Sequence, residues 1–369
     1  MGDFTERVKR KNKNNLSKLP LTISAKYGLV DQITFFNKIV ASTDMSNYYL
    51  LKKGEFAYNK SYSNDYPWGT IKRLDNYEQG VLSALYICFA TQDSVESDFI
   101  LQYFESPKWH KSVSEIAVEG ARNHGLLNIS VQDFFQTYHY VPKEKKEQTK
   151  IATLLHLIDE RISTQNKIIE DLKKLKCAII EKLYSEIQGK EYLYGQLFEV
   201  VNKRNKQMEY SNILSASQEK GMVNRDDLNL DIQFERSNIN TYKIVRAGDY
   251  VIHLRSFQGG FAFSDKLGVC SPAYTILRPN CLLEYGYLSY YFTSHRFIKS
   301  LIIVTYGIRD GRSINIEEWL NMKVIIPSKE HQLHTLKILR SLDGKIENEE
   351  KYTICLSNQK QYLLQQMFI

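Results

Sequence analysis

The sequence predicts an α+β protein made of two similar globular units in tandem, each followed by a long α-helix, with the two helices packed on each other. Three observations lead to this fold class. The chain repeats itself at a spacing near half its length, strand-like and short helical segments alternate within each copy, and a heptad pattern of apolar residues closes each copy. The expected boundaries are 1–142 and 189–327 for the globular units, and 143–188 and 328–369 for the helices.

The repeat consists of short matches that keep their order along the chain. Ser24–Val30 resembles Ser217–Val223 at a shift of 193. Five further matches at shifts of 187 to 194 pair Lys53–Phe56 with Ala247–Tyr250, Gly80–Tyr86 with Gly268–Tyr274, Gln102–Ser106 with Tyr290–Ser294, Gly120–Arg122 with Gly307–Arg309, and Asn128–Ile129 with Asn315–Ile316. Chance explains six ordered matches poorly, and the period far exceeds the roughly 20 to 50 residues of a solenoid repeat. The chain is therefore two similar domains in tandem.

Within the globular units, strand and helix signals alternate. Asp249–Leu254, Tyr274–Leu277 and Leu85–Phe89 alternate or run apolar between turn residues, which predicts strands. Phe99–Phe104 and Tyr287–Phe297 predict short helices. Each unit is thus expected to be α+β.

The closing helix of each unit carries apolar residues at alternating steps of three and four, which is a heptad seam. The seam residues are Leu155, Ile158, Ile162, Ile169, Leu172, Ile179 and Leu183 in the first helix, and Leu339, Leu342, Ile346, Leu356, Leu363 and Met367 in the second. Polar insertions repeat as well, Gln165 with Glu349 and Lys176 with Lys360. Each helix could pack only on its own domain, but the recurrence of the seam favours pairing of the two helices.

Composition places the chain among folded proteins and leaves function open. With 369 residues, a net charge of +7, 43% hydrophobic and 25% charged residues, it is not disordered, collagen-like or a disulfide scaffold. Five cysteines without a CxxC pair predict reduced, buried thiols and no zinc site. No signal peptide and no stretch of about 18 apolar residues is present, so we expect a cytoplasmic protein. The mild positive charge permits binding of nucleic acid.

Signatures of catalysis are missing. The sequence has no GxxxxGK[ST] loop, no Pro-Asp pair and no G-x-S-x-G elbow. Ser271–Tyr274 is only faintly similar to an aminomethylase motif and lacks its second proline. His331 and His334 stand one helical turn apart without a third ligand nearby, which favours a solvated face over a metal site. The sequence therefore predicts a binding protein without catalytic residues, metal or cofactor.

Two variable α+β units, each followed by the same heptad helix introduced by Pro and Gln, resemble the specificity subunit of type I restriction-modification systems. The first copy carries the resemblance in Gly125–Phe135, Val141–Pro142, Glu147–Gln148, Ile151–Ala152, Leu157–Ile162 and Ile168–Lys176. The second copy keeps Pro327, Gln332, Leu342–Asp343, Ile346, Leu356 and Lys360. One departure is that the segment Tyr192–Phe198 before the second unit has only Phe4 as a counterpart near the start of the chain.

The resemblance implies that each globular unit is a target-recognition domain and that the helices form an antiparallel coiled coil with pseudo-two-fold symmetry. It also implies that this coiled coil acts as a spacer and docks two modification subunits. Restriction subunits would join through the complex, and S-adenosylmethionine, ATP and Mg²⁺ would bind to the partner subunits.

Geometry alone points the same way, because two similar but unlike units can read two different half-sites on duplex DNA while a rigid rod fixes their spacing. Arg and Gln are the residue types that read guanine and adenine edges. The candidate DNA-binding residues are Lys60, Ser61, Tyr62, Arg122, Arg255, Ser256, Phe257, Gln258 and Arg309. The candidate phosphate contacts are Arg7, Arg10, Lys11, Lys203, Arg204 and Lys206.

Structural alternatives stay open for these residues, since arginines also cap helices or pair with carboxylates and charge runs are often only solvated. Two rival functions also stay open. One is an assembly or scaffold protein that uses the helix pair without sequence-specific DNA binding, and the other is a nuclease or methylase with an unrecognised site.

Overall fold

The chain is described by a computed structural model for all residues except 39, 64, 118–124, 218–219, 228–235, 254–259, 307–312 and 369. It divides into two compact units, Met1–Asn166 with Lys351–Ile369, and Lys167–Glu350. Within the described residues, no helix has the length and apolar character needed to cross a membrane.

The first unit is built on a four-stranded antiparallel sheet in the order β1-β8-β5-β6, with the pairs β2-β3 and β4-β7 beside it. Its strands are β1 Thr5–Arg7, β2 Leu21–Ser24, β3 Gly28–Asp31, β4 Tyr49–Lys52, β5 Phe56–Asn59, β6 Thr70–Arg73, β7 Gln79–Leu82 and β8 Ile87–Thr91. Its helices are α1 Gln32–Phe36, α2 Ser97–Glu105, α3 His110–Ser114 and α4 Val131–Gln136, with a 3₁₀ turn at Lys13–Asn15. The long helix α5, Lys145–Ser185, follows and runs on into the second unit.

The second unit repeats this plan with a four-stranded sheet in the order β10-β17-β14-β15 and the pairs β11-β12 and β13-β16. Its elements, in order, are β9 Lys190–Leu193, α6 Tyr194–Leu197, β10 Phe198–Val201, β11 Leu214–Ser217, β12 Gly221–Asn224, β13 Lys243–Val245, β14 Tyr250–Ile252, β15 Phe261–Phe263, β16 Gly268–Cys270, β17 Thr275–Pro279, α7 Tyr287–Tyr291, α8 His295–Ser300, β18 Thr305–Tyr306, β19 Ser313–Ile314, α9 Ile316–Leu320, β20 Lys323–Ile326 and α10 Lys329–Gln366. Short 3₁₀ turns lie at Arg225–Asp227, Arg236–Thr241 and Leu301–Val304. Strand β9 pairs with β20, and β18 pairs with β19.

The identical sheet order confirms the internal repeat predicted from the sequence. A pair of repeated glycines shows why some matches are kept. A Cβ on Gly80 would lie 2.5 Å from the side chain of Leu21, and a Cβ on Gly268 would lie 2.9 Å from that of Leu214. At Gly268 the Cβ would also lie 2.6 Å from the Asn212 carbonyl oxygen, a backbone atom, so this position needs glycine, whereas a Cβ at Gly80 would force the Leu21 side chain to shift.

Each unit has an aromatic core onto which both long helices pack. In the first unit, Leu155 of α5 and Leu364 of α10 are buried with the sheet residues Phe56 and Phe89. In the second unit, Tyr184 of α5 and Leu339 of α10 are buried around Trp319. The compact units therefore include parts of both helices, and the predicted domain boundaries stay a prediction.

The predicted seam residues are all buried or half-buried in α5 and α10, so the heptad pattern identifies the packed face correctly. In the second unit, Lys173 pairs with Glu350 at 2.7 Å and Lys176 pairs with Asp343. The partner number falls as the residue number rises, so the two helices run antiparallel there. In the first unit, Lys360 pairs with Asp159 at 2.6 Å.

The prediction that all cysteines are buried is wrong for three of the five. All five are free, but only Cys88 and Cys270 are buried, while Cys177, Cys281 and Cys355 are exposed. Cys177 and Cys355 lie on the long helices at positions outside the seam. Burial raises the pKa of the Cys88 and Cys270 thiols to about 12, which leaves both protonated and inert.

Candidate DNA interface

A loop that follows the first strand of the main sheet occupies the same place in both units, after β1 and after β10. Each loop contains a fully buried asparagine, Asn12 or Asn205. The amide of Asn12 donates to the Ser17 carbonyl at 3.0 Å and accepts the Ser17 N–H at 2.9 Å. The amide of Asn205 likewise donates to the Tyr210 carbonyl at 2.7 Å and accepts the Tyr210 N–H at 3.3 Å. We call these the asparagine loops, 12–17 and 205–210.

The predicted phosphate contacts lie beside the asparagine loops, since Lys11 and Arg204 directly precede Asn12 and Asn205, and Lys206 lies within the second loop. Each amide supplies hydrogen bonds that the backbone of an irregular loop lacks, and so joins the two ends of its loop. Sequence reasoning missed both asparagines. Their signal was available, because Asn12 and Asn205 differ by 193, the shift of the first repeat match.

In the second unit the predicted phosphate contacts are all accessible. Lys203, Arg204 and Lys206 are exposed and border a shallow cavity of about 470 Å³. No hydrogen bond or ion pair with another described residue holds these three side chains. Nearby, the Lys243 ammonium donates to the Tyr274 carbonyl at 2.7 Å. Burial, and to a smaller extent the positive charge of Arg204, lowers the pKa of Lys243. Three accessible cations around one hollow form a surface that suits an anion such as a DNA phosphate.

In the first unit the predicted phosphate contacts are largely engaged within the protein. Arg10 forms two hydrogen bonds to Glu55, at 2.6 and 2.7 Å. Arg7 donates to the Tyr49 hydroxyl at 3.1 Å, and Lys11 lies 3.8 Å over the Tyr49 ring while donating to a backbone carbonyl. For Arg10, the structure therefore favours pairing with a carboxylate of the protein over contact with a phosphate.

The candidate base contacts of the first unit lie where the chain leaves β5. Lys60 is half-buried and donates to the Ile129 carbonyl at 3.1 Å, and burial lowers the pKa of its ammonium. The Ser61 hydroxyl donates to the Asn59 side chain at 2.9 Å. Among these three residues, only Tyr62 projects a large side chain, which is 51% exposed, while its backbone N–H donates to the Gly125 carbonyl at 2.6 Å. Lys60 and Ser61 thus hold the loop, and Tyr62 is the group that can reach a ligand.

The hydrogen bond between Tyr62 and Gly125 brings together two segments that are distant in the sequence. Tyr62 adjoins Gly125, the residue that follows 118–124, and Arg122 itself lies outside the described residues. In the second unit, Arg255, Ser256, Phe257, Gln258 and Arg309 also lie outside the described residues. The residues on either side of 254–259 and 307–312 are among those that the structure describes. His253 donates its N–H to the Gly260 carbonyl at 2.6 Å between β14 and β15, and β18 pairs with β19 on either side of 307–312.

No group of three or more His, Cys, Asp or Glu side chains suited to a metal ion occurs in the part of the chain that the structure describes. His331 and His334 are both exposed at the start of α10.

The fold defines a class of protein, one in which an α+β unit occurs twice and each copy is followed by a long helix. Several solved structures share it, among them the following three. A chain from a structure of the type I R-M system, described for its complex assembly and conformational transition, matches with a TM-score of 0.63 and 14% identity over 99% of this chain and 95% of that chain. The HsdS subunit from Thermoanaerobacter tengcongensis matches with a TM-score of 0.50 and 16% identity over 100% and 95%.

The S subunit of a type I restriction-modification system from M. genitalium also matches with a TM-score of 0.50 and 16% identity, over 100% of this chain and 94% of its own. The sequence matches no protein-family model and no curated protein. At these identities the likeness is one of fold. It confirms the predicted fold class and the resemblance to type I specificity subunits.

Proposed function

We propose that the chain is the DNA-reading subunit of a type I restriction-modification complex and binds an asymmetric bipartite site on duplex DNA. The observation that carries this proposal is the duplicated unit, in which an asparagine loop with basic residues beside it recurs at the same place in the same fold. Two such units suit two half-sites, and because their exposed residues differ, the half-sites differ too.

The two units are expected to contribute unequally to affinity. Lys203, Arg204 and Lys206 supply phosphate contacts in the second unit, while in the first unit Arg7 and Lys11 contribute and Arg10 supports the loop through Glu55. Base recognition falls to Tyr62 with Arg122 in the first unit. In the second it falls to Arg255, Ser256, Phe257, Gln258 and Arg309.

Two modification subunits are proposed to dock on the long helices, and restriction subunits to join through them. An apolar groove between α5 and α10 in the first unit supports docking, since Leu154, Leu157 and Tyr352 line it and remain 43 to 52% exposed. Exposed apolar residues clustered in a groove are typical of an interface. In this proposal the chain itself is not catalytic and works in the cytoplasm. S-adenosylmethionine, ATP and Mg²⁺ serve the partner subunits.

The test is selection of bound sites from a pool of random duplexes, using the chain purified with its modification subunits. We expect enrichment of two unlike half-sites at one fixed spacing, with affinity that falls steeply as salt rises. Assembly with the partners but no enriched sequence would instead favour the scaffold alternative. A palindromic site would contradict the assignment of one half-site to each unit.

A further inference from the structure

A buried glutamine joins the start of each long helix to the globular part of its own unit. Gln148 on α5 is 1% exposed. Its side-chain oxygen accepts the N–H of Glu96 at 2.7 Å, and its amide donates to the Pro142 carbonyl at 2.7 Å. Glu96 immediately precedes α2, so one side chain links the entry of α5 to a helix of the globular part.

The second unit contains the same link. Gln332 on α10 is 1% exposed, and its side-chain oxygen accepts the N–H of Glu284 at 2.8 Å. Its amide donates to the Leu282 carbonyl at 3.0 Å and the Pro327 carbonyl at 3.1 Å. Gln332 follows Gln148 by 184 residues, the same shift that relates Leu155 to Leu339 in the heptad seam, so both units keep the link together with the helix.

A second link, further along each helix, is also repeated. In the first unit, Asp159 of α5 accepts from the Gln102 amide of α2 at 3.0 Å and from Lys360 of α10 at 2.6 Å. The carboxylate thus joins three helices, because each of its oxygens has its own donor.

In the second unit, Asp343 of α10 accepts from the Tyr290 hydroxyl of α7 at 2.6 Å and from Lys176 of α5. Burial and the hydrogen bond to Asp343 raise the pKa of Tyr290, which keeps this hydroxyl a donor. Residues Gln102 and Tyr290 occupy matching positions of the repeat, as do Asp159 and Asp343.

Two links on one helix restrain more than one link can. In both units the glutamine and the aspartate are 11 residues apart, which is about 16 Å along a helix that rises 1.5 Å per residue. The apolar packing of both helices on each core already restrains the globular part. Two hydrogen-bonded points separated along the helix axis add directional restraints that oppose both pivoting and sliding over that apolar surface.

We infer that Gln148, Gln332, Asp159 and Asp343 are positioning residues that hold each DNA-reading part at one angle to the helix pair, and so make recognition strict about the spacing between half-sites. This inference rests on the proposed function. A purely structural role would predict a loss of stability without any change in spacing preference, so spacing preference is the readout that separates the two roles.

The experiment uses the chain in complex with its modification subunits and duplexes whose half-sites are separated by the selected spacing or by one or two base pairs more or fewer. Gln148→Met and Gln332→Met keep the side-chain length but remove the side-chain hydrogen bonds. We expect each change to reduce the preference for the selected spacing over a spacing one base pair longer by roughly tenfold, equivalent to about 1.4 kcal/mol. Half-site sequence preference should be unaltered. Gln361→Met, at an exposed glutamine of α10, is the matched control.

Asp159→Asn and Asp343→Asn provide a second pair of variants, because these partly exposed aspartates can be changed without burying a new group. They should relax spacing preference in the same direction even if the glutamine variants fold poorly. Variants that melt like the unchanged protein and keep its full spacing preference would overturn the inference. If the unchanged complex shows no preference for any bipartite duplex, the proposed function itself is contradicted. That outcome can be distinguished from failure of the present inference, in which the unchanged complex prefers one spacing and the variants keep that preference.

Discussion

At the scale of single residues, the sequence identifies basic groups but not which of them are available. Arg10 and Lys203 both stand in short basic runs, yet Arg10 is paired with Glu55 and Lys203 projects into solvent. The difference arises because Glu55, the partner of Arg10, lies 45 residues away in the sequence, so the local charge pattern does not reveal the pair. Availability of charge decides which residues can release counterions from DNA.

Replacing Lys203 and Arg204 together with alanine is expected to weaken binding to all duplex sequences alike. Removing one phosphate contact should lower the slope of log affinity against log salt by about one, so the double change should lower it by about two. Titrations at several salt concentrations measure this. Alanine at Arg296 and Lys299, two exposed cations of α8, removes the same charge as a control and should leave the slope unchanged. A loss of affinity that depends on the DNA sequence would instead show that Lys203 or Arg204 contacts a base.

Arg255→Ala is expected to act differently, because an arginine that forms a bidentate contact with a base contributes about 1 to 3 kcal/mol of discrimination. Recognition of one half-site should weaken by that amount while preference at the other half-site is unaltered. Binding to duplexes mutated in one half-site at a time gives the answer. Uniform weakening would assign Arg255 to a phosphate, and no effect would assign it a structural role.

At the scale of elements, the two long helices follow directly from their apolar periodicity. The seam buries Leu155, Ile158 and Ile169 in α5 and Leu339 and Ile346 in α10, as the heptad pattern predicts. Polar insertions in the seam find partners across it, since Lys176 meets Asp343 and Lys360 meets Asp159. Such pairs set the register of two helices more sharply than apolar contacts do.

Removing one heptad from each helix, residues 162–168 and 351–357, is expected to shorten the preferred spacing between half-sites. Seven residues correspond to about 10 Å of helix, or about three base pairs at 3.4 Å each. Heptad deletion preserves the seam, so both half-sites should still be read. Site selection with the shortened complex measures the spacing. An unchanged spacing would show that the helices do not determine it.

At the scale of the whole molecule, duplication gives the chain two copies of one architecture with different surfaces. Both copies keep the sheet order, the asparagine loops and the glutamine links. The matching carboxylates Glu55 and Asp249 nevertheless pair differently, Glu55 with Arg10, just before the first asparagine loop, and Asp249 with Arg278 of β17. A protein that recognises two different half-sites needs two units with the same interior and different surface residues.

The chain alone, incubated with duplex DNA, S-adenosylmethionine, ATP and Mg²⁺, is expected neither to methylate nor to cleave. The reason is that its sequence has no nucleotide-binding loop and no nuclease or methylase motif. Transfer of a labelled methyl group and gel analysis of the duplex detect either activity. Product formed by the chain without partner subunits would contradict this expectation, and the complete complex serves as the positive control.

The duplication, the α+β class of each unit and the packed face of both long helices could all be predicted from the sequence. These features follow from local periodicity and self-similarity, which need no knowledge of distant contacts. Three sets of hydrogen bonds are visible only in the folded chain: the Asn12 and Asn205 amides close the asparagine loops, Glu55 pairs with Arg10, and Gln148 reaches Glu96, 52 residues away. A buried polar side chain must find its partner wherever the fold brings one within hydrogen-bonding distance, and that choice is made by three-dimensional packing.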